Sequence, residues 1–454
     1  MSQFVKNDNV SIFPDGEATI ISDSPLGSGG QGEVYLVEYK GNKYALKWYT
    51  NTSILSNEAF YNNLKENSKV EAPDSNFIWP LYITERVGKG GFGYIMDLIP
   101  KNKHSMSDIL RTYRLDIQGK TAVRVPVGFH DLDTMVDSAI EIVEAFRSLH
   151  RRGQSYQDLN DGGIFFDTDT GEVLICDCDN VAPYGMNYGI GGKPGYMAPE
   201  VVTHESLPSA DTDKFSLAVI LFKLFIRGDP LEGAKMCGAG VMVGHNELKH
   251  YGTDPVFVYD PNNDTNRPVK GIHNNVIRMW PLYPDFLRQA FTKVFTDGLK
   301  NPSARLSDNE WFKILLKLKA SIFKCKCKAS KRFLVDSTIT SYSCPKCNTT
   351  YPVYTITNGR EKYGVIFGNN TKLMPFETDP IDYENHSVIS AEMVESAKNP
   401  GVVGLRNCSS AEWTVTMPDG TIKQIPPGKA AVFVDGMQVA FSQTLGKATM
   451  KKKE

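Results

Sequence analysis

The sequence has no dominant charge: 50 Lys and Arg stand against 52 Asp and Glu, a formal net charge of −2 over 454 residues. Without a global basic field, nucleic acid is not expected as a partner. The one local basic run, Lys451 to Lys453, reads as a solvated end. Long apolar runs are missing too. The richest, Leu217 to Ile226, is half the roughly 20 residues that a membrane span needs. A buried helix is expected there, and no membrane association. The opening MSQFVKNDNVSIF has neither the charged start nor the apolar core of a signal peptide. The 8 cysteines are therefore expected in a reducing compartment, not in a disulfide framework, and the protein is expected to be cytoplasmic. What remains is the composition of a soluble globular chain, 41% hydrophobic and 22% charged, long enough for two or three domains.

Residues 17–100 alternate apolar and polar positions with period two, as in VYLVEY, KYALKWY and GYIMDLI, with turns at Gly41-Asn42 and Lys89 to Gly91. That pattern predicts an antiparallel sheet, interrupted by one helix from about 56 to 70. From about 134 to 318 the period becomes helical. Beyond a cysteine cluster, short apolar segments such as YPVYTI, YGVIF, WTVTM and AAVFV alternate with turn signals, which predicts a small β-sandwich. The fold class is α+β. It comprises a β-rich lobe (1–100), a helical lobe (101–320), a four-cysteine ribbon (321–350), a small all-β domain (351–446) and a flexible tail (447–454).

LGSGGQGEVY places Gly27, Ser28, Gly29, Gly30, Gln31 and Gly32 ahead of Val34. Glycines at this spacing let backbone amides approach phosphates closely and permit a tight turn between strands. The pattern alone is weak, because Gly88, Gly90 and Gly93 repeat it where a hairpin turn is the expected structure. Only the first copy is followed, fifteen residues after Gly32, by Ala45-Leu46-Lys47 on a strand. No helix opens directly behind its glycines, so a dinucleotide fold is excluded.

Further motifs arrive in order. SYQDLNDGGIFF contains Asp158, LICDCDNV contains Asp177, YMAPE ends on Ala198-Pro199-Glu200, DTDKFSLAVIL contains Asp213 and NPSARL contains Arg305. With the glycine loop and Lys47, this series resembles protein kinases. QDLNDG, LICD, YMAPE, NRPV and WPLYP more narrowly resemble a bacterial family of eukaryotic-type Ser/Thr kinases. Its members are often encoded beside a PP2C-type phosphatase and a von Willebrand factor A-like protein, which the resemblance implies as partners besides a protein substrate. The resemblance implies a bilobal kinase fold using ATP and Mg²⁺. Asp158 would be the base that takes the substrate hydroxyl proton, Lys47 the clamp on the phosphates and Asp177 the Mg²⁺ ligand. The glycine loop, Val34, Ala45, Met96, Asp97 and Ile99 would contact the nucleotide. Lys47 would need a carboxylate on the first-lobe helix, with Glu58 and Glu66 both available and Glu66 at the more comfortable spacing. Asp213 would brace the catalytic loop, and Arg305 would pair with Glu200.

The chain departs from the kinase pattern in several places. Tyr156 and Gln157 replace histidine and arginine before Asp158, so no cation is offered to an activation-loop phosphate. Residues 178–197 contain no Ser or Thr, and Tyr184, Tyr188 and Tyr196 are the hydroxyl candidates. Activation without Ser/Thr phosphorylation of that loop is expected. Gly163 stands where an asparagine would bind a second Mg²⁺, which opens the alternative of a pseudokinase acting as a nucleotide-binding scaffold. Asn160 lies nearby. Asp179, in place of the glycine of D-F-G, is a candidate additional Mg²⁺ ligand. Lys193 is a candidate for the missing catalytic-loop lysine. Cys176 and Cys178 flank Asp177 and are expected to pack as small apolar groups.

Cys325-Lys-Cys327 and Cys344-Pro-Lys-Cys347 form two short chelating pairs 17 residues apart. That spacing suits a closed tetrahedral thiolate site for a structural Zn²⁺.

Overall fold

Alternation along residues 32–49 builds the first sheet, as the computed structural model shows. It describes residues 3–86, 91–118, 121–238, 243–325, 327, 333–334, 339–358, 361–367, 371–378, 384–441 and 447–452. Strands β1 (Asn9–Ser11), β2 (Glu17–Ile20), β3 (Gly27–Ser28), β4 (Gly32–Tyr39), β5 (Asn42–Tyr49), β6 (Tyr82–Ile83) and β7 (Gly93–Met96) form one antiparallel sheet. Its order is β1-β2-β4-β5-β7-β6, with β3 paired to β4. Lys40 (φ 49°) and Gly41 (φ 76°) take consecutive left-handed conformations, the geometry that closes a tight hairpin between β4 and β5. Period-two alternation sends Tyr35, Val37, Leu46 and Trp48 into one apolar layer with Val10 and Ile20. Ala45 and Tyr49 enter another with Phe92 and Tyr94.

Helices α1 (Thr52–Leu55) and α2 (Glu58–Asn67) follow β5. Asn57 caps α2 by accepting the Phe60 amide at 3.0 Å. Phe60, Asn63, Leu64 and Asn67 are buried, a stripe at i, i+3, i+4, i+7 that sets which side of α2 faces inward.

The two glycine patterns have steric reasons of their own. A Cβ on Gly32 would lie 2.0 Å from the Trp48 carbonyl oxygen, and one on Gly93 would lie 2.3 Å from that of Lys47. Each lets neighbouring backbone approach β5. Gly93 begins β7, while Gly88 and Gly90, expected in a hairpin turn, lie outside the described residues.

After β7 come β8 (Lys103–Ser105), α3 (Met106–Arg111), a hairpin of β9 (Tyr113–Gln118) and β10 (Thr121–Pro126), and α4 (Leu132–Arg151). The hairpin interrupts the stretch expected to be helical. Strands β11 (Gln154–Ser155), β12 (Ile164–Asp167), β13 (Val173–Ile175) and β14 (Ala182–Pro183) frame the next segments; β13, β12 and β8 form one small sheet, and β11 pairs with β14. Helix α5 (Pro199–Val202) precedes α6 (Ala210–Ile226). Of the 17 residues of α6, 14 are buried, so the apolar run at 217–226 is an interior helix. No described helix is long and apolar enough to cross a membrane.

The chain divides into two compact units, 1–129 with 141–277 and 291–308, and 130–140 with 278–290 and 309–454. In the second, residues 354–358, 361–365, 413–416, 422–425, 438–440 and 447–452 form a six-stranded sheet. Residues 372–373, 391–395, 403–407 and 430–432 form a four-stranded one.

Candidate active site and cysteine cluster

Lys47 and Tyr49 lie two apart on β5 and share a face, and the β5–β7 register sets Tyr94 directly opposite Lys47. All three converge on Asp179, whose side chain is 0% exposed. Lys47 Nζ donates to Asp179 Oδ1 at 3.1 Å and to Oδ2 at 2.9 Å. Tyr49 donates to Oδ2 at 2.5 Å and Tyr94 to Oδ1 at 3.2 Å. Lys47 Nζ also reaches Asp177 Oδ1 at 3.1 Å. Burial works against the ammonium, but the charges of Asp179 and then Asp177 outweigh it and raise the Lys47 pKa. Burial and the Asp179 charge push both phenols well above their ordinary range, so Tyr49 and Tyr94 remain donors.

This cluster corrects two expectations. Glu66 does not meet Lys47: its side chain is 69% exposed and pairs with Lys69 at 2.6 Å. Glu58 is exposed too. Both lie off the buried stripe of α2, for which helical periodicity is the reason. Asp179 is not an open metal ligand, because four hydrogen bonds already occupy the roughly four acceptor positions of its carboxylate.

Asp177 follows β13 in a left-handed conformation, φ 57°, with its side chain 45% exposed. Asp158 sits on the loop between β11 and β12, its pKa pushed up to about 6 by burial and then by the charge of Asp177. Asn160 Nδ2 donates to the Asp158 backbone oxygen at 3.0 Å and to Oδ1 at 3.2 Å. Asn180 Nδ2 lies 3.4 Å from Oδ2. The loop is held from below by Asp213 on α6, which accepts the amides of Tyr156 (2.6 Å) and Gln157 (2.9 Å). Glu200 and Arg305 form a two-pronged pair at 2.6 and 2.7 Å. At Gly163 a Cβ would lie 3.3 Å from the Tyr156 hydroxyl, which donates to the Cys176 carbonyl oxygen.

Val34, Ala45, Met96 and Ile99 belong to one apolar cluster with Phe165, Leu174 and Cys176, a lining suited to a flat aromatic base. Asp97 is exposed beside it. Burial raises the pKa of Cys176, and Cys178 is fully buried and donates to the Ile175 carbonyl, so both behave as packed thiols. Gly27, Gly29 and Gly30 have open space where a Cβ would stand, and Gly27 to Gly30 are exposed. The Gln31 carbonyl ties the loop down by accepting the amides of Thr50 and Asn51 at 3.0 and 3.2 Å. The loop and apolar cluster therefore fit a nucleotide, and Asp177 fits a hard cation.

A cleft beside Asp158 is lined by Gly192, Lys193, Tyr196 and Met197. Lys193 thus lies close to the catalytic-loop segment, paired with Asp161 at 2.6 Å. Gln157, in the arginine position, has φ 74°, and its amide donates to the Met186 carbonyl at 2.6 Å and accepts from Asn187 at 2.8 Å. Asn57 donates to the Tyr188 carbonyl at 2.8 Å. These neutral amides hold residues 186–190. Gln157 and Asn187 are both visible in the sequence, but only the fold pairs the two.

In the second unit, Cys325, Cys327, Cys344 and Cys347 bring their sulfurs within 4.8 Å of one another. Cys325–Cys347 and Cys327–Cys344 are 3.5 and 3.8 Å apart, too long for disulfides at about 2.0 Å. Tetrahedral thiolates at about 2.3 Å from an ion would stand roughly 3.8 Å apart, so the four sulfurs fit a zinc-sized cation. Phe323, Val353 and Ile366 pack around them.

The protein kinase domain family profile matches residues 21–270, more than half of the chain. The chain is 26% identical to the serine/threonine-protein kinase sck2 of Schizosaccharomyces pombe, over 44% of this chain and 29% of that one. It is 26% identical to human rhodopsin kinase GRK1, over 64% and 46%. With CBL-interacting protein kinase 4 of Oryza sativa subsp. japonica it shares 27% identity over 36% and 37%. In each case the chain spans less than half of the relative's length. A buried lysine on β5 held by Asp177 and Asp179, and a braced loop that carries Asp158, thus accompany a family match over most of the first compact unit, and the chain belongs to the protein kinase domain family.

Proposed function

We propose that this protein is an ATP-dependent protein Ser/Thr kinase that does not need Ser/Thr phosphorylation of its activation segment. The contact of Lys47 with Asp177, beside a cleft that contains Asp158, carries the reading. When bound, ATP with Mg²⁺ supplies the transferable γ-phosphoryl group and neutralises its charge. Lys47 would hold phosphate oxygens, Asp177 would hold the cation, and Asp158 would accept the proton of the acceptor hydroxyl at Oδ1 or Oδ2 as the phosphoryl group passes to that oxygen and ADP leaves. Activation independence is supported by the Gln157–Asn187–Met186 amide bonds. We further read Cys325, Cys327, Cys344 and Cys347 as a structural Zn²⁺ site in a ribbon at 321–350, followed by a small all-β domain at 351–446. A bacterial kinase with a PP2C-type phosphatase and a von Willebrand factor A-like protein as partners is the reading that the QDLNDG, LICD and YMAPE segments support.

One observation favours a pseudokinase: a side chain at Gly163, the position of the missing asparagine, would crowd the Tyr156 hydroxyl, 3.3 Å from its Cβ. Radiolabelled γ-phosphoryl transfer to a generic protein acceptor separates the two. Transfer by the wild type, with a drop of about 10²–10⁴ in Asp158→Ala, is expected. A silent wild type, with transfer gained by Gly163→Asn combined with Tyr156→Phe, would establish the scaffold instead.

The activation segment gives a second test. Gln157→Ala is expected to lower kcat/KM by roughly 10–30-fold by removing the two hydrogen bonds that tie its side chain to Met186 and Asn187, worth about 1 kcal/mol each. Tyr184→Phe with Tyr188→Phe should stay near wild-type activity. Loss of activity in that double variant, with phosphotyrosine mapped in the wild type, would sink the reading of a constitutively ordered segment.

A further inference from the structure

We infer that Asp179 is the positioning residue of Lys47, taking the place of a carboxylate on α2. The inference rests on the reading of the site as one that binds ATP. Its observation is the saturation of one buried carboxylate. Lys47 gives two hydrogen bonds to Asp179, and Tyr49 and Tyr94 give one each, at 2.5–3.2 Å. All three donor residues are fixed by strands, Lys47 and Tyr49 on β5 and Tyr94 opposite on β7. A buried carboxylate with all acceptor positions filled has no cheap alternative arrangement, because any donor that leaves exposes an unpaired charge.

Asp177 stands in contrast. It is 45% exposed and shares a single 3.1 Å contact with Lys47. An ammonium has three protons. If Asp177 turns to a cation, Lys47 keeps its hold on Asp179 and has donor capacity for a phosphate oxygen. The two aspartates two residues apart thus divide the work, one as anchor and one as ligand.

Helix α2 contributes differently. Its inward amides, Asn63 and Asn67, donate to the Val181 carbonyl at 2.8 and 2.9 Å. They grip the segment that bears Asp179 rather than Lys47. Neither amide reaches Lys47 itself, so the carboxylate that holds the lysine comes from outside α2. Lysine placement is therefore set by the sheet and the Asp177–Asp179 segment.

The test compares Asp179→Asn with Glu58→Ala and Glu66→Ala, measuring kcat and KM for ATP and, separately, ATP affinity by calorimetry on the full chain. Asp179→Asn is expected to lower kcat/KM by a factor on the order of 100, with a rise of about tenfold in KM, as the lysine swings to Asp177. Both glutamate variants should remain within about twofold of wild type, as exposed positions do. Should Asp179→Asn fail to fold, the Tyr49→Phe/Tyr94→Phe double variant keeps the pair but removes its supports, and a several-fold loss of ATP affinity is expected. Wild-type ATP affinity and kcat in Asp179→Asn, wild-type affinity in the double variant, or an equal loss in Glu58→Ala or Glu66→Ala, overturns the assignment. Calorimetry keeps the two readings apart: a wild type that binds ATP but transfers nothing ends the kinase proposal, while weakened binding in Asp179→Asn still supports the anchor.

Discussion

Asp213→Ala is expected to destabilise the first compact unit by about 3–5 kcal/mol and to silence any activity that depends on Asp158. Asp213 is 1% exposed and accepts two consecutive backbone amides, those of Tyr156 and Gln157. Alanine would leave both amides buried without an acceptor, and Gln157, in a left-handed conformation at φ 74°, would lose the contact that offsets its strain. His150 on α4 joins the same network, with Nε2 3.2 Å from Asp213 and Nδ1 2.7 Å from Asp308. Burial opposes the imidazolium, but the hydrogen bonds to Asp213 and Asp308 outweigh it and raise the pKa to about 9. A folded value above the unfolded one of about 6.5 stabilises the protein fully below pH 6.5, and that contribution is lost as pH rises through 9. The expected loss is on the order of 3 kcal/mol. Chemical denaturation at pH 6 and pH 10 should show it in the wild type and show less of it in His150→Gln. An equal pH dependence in both proteins would remove His150 as its source.

Removing the ion from the four-cysteine cluster should have the larger structural effect in the second unit. Structural zinc contributes apparent binding energies of about 10 kcal/mol or more to small domains. Cys344 is fully buried, and Phe323, Val353 and Ile366 have the cysteines themselves as part of their core. Cys344→Ser, or a strong chelator, is therefore expected to release about one zinc per chain and to open residues 321–353 to protease. Purified protein that carries no zinc by elemental analysis and resists protease equally with and without chelator would rule this out.

The site was unevenly legible in the sequence. Lys47, Asp158, Asp177, Asp213 and the Glu200–Arg305 pair sit in short local motifs, where residue type and spacing carry the message. Glu66 misled because sequence distance suggested a partner while the helical stripe of α2 turned it to solvent. Asp179 was visible as a substitution, but its role depends on Tyr49 and Tyr94, 45 residues apart on strands whose pairing no local pattern specifies. The β9–β10 hairpin, RLDIQ and TAVRV, lies between the alternating stretch that ends near 100 and the helical period that begins near 134, and fell within the bounds drawn for the helical lobe.

By itself the sequence determined the β-rich start, the interior helix at 217–226, the order of the phosphotransfer motifs and the pairing of four cysteines into two chelating steps. Each of these is written in contiguous residues, through period, turn chemistry or ligand spacing. Only the tertiary structure decided which carboxylate holds Lys47, why Gly163 is crowded by Tyr156 and how Gln157 secures the activation segment. Those outcomes are set by strand register, helix facing and the filling of buried hydrogen-bond positions, which depend on residues far apart in the chain.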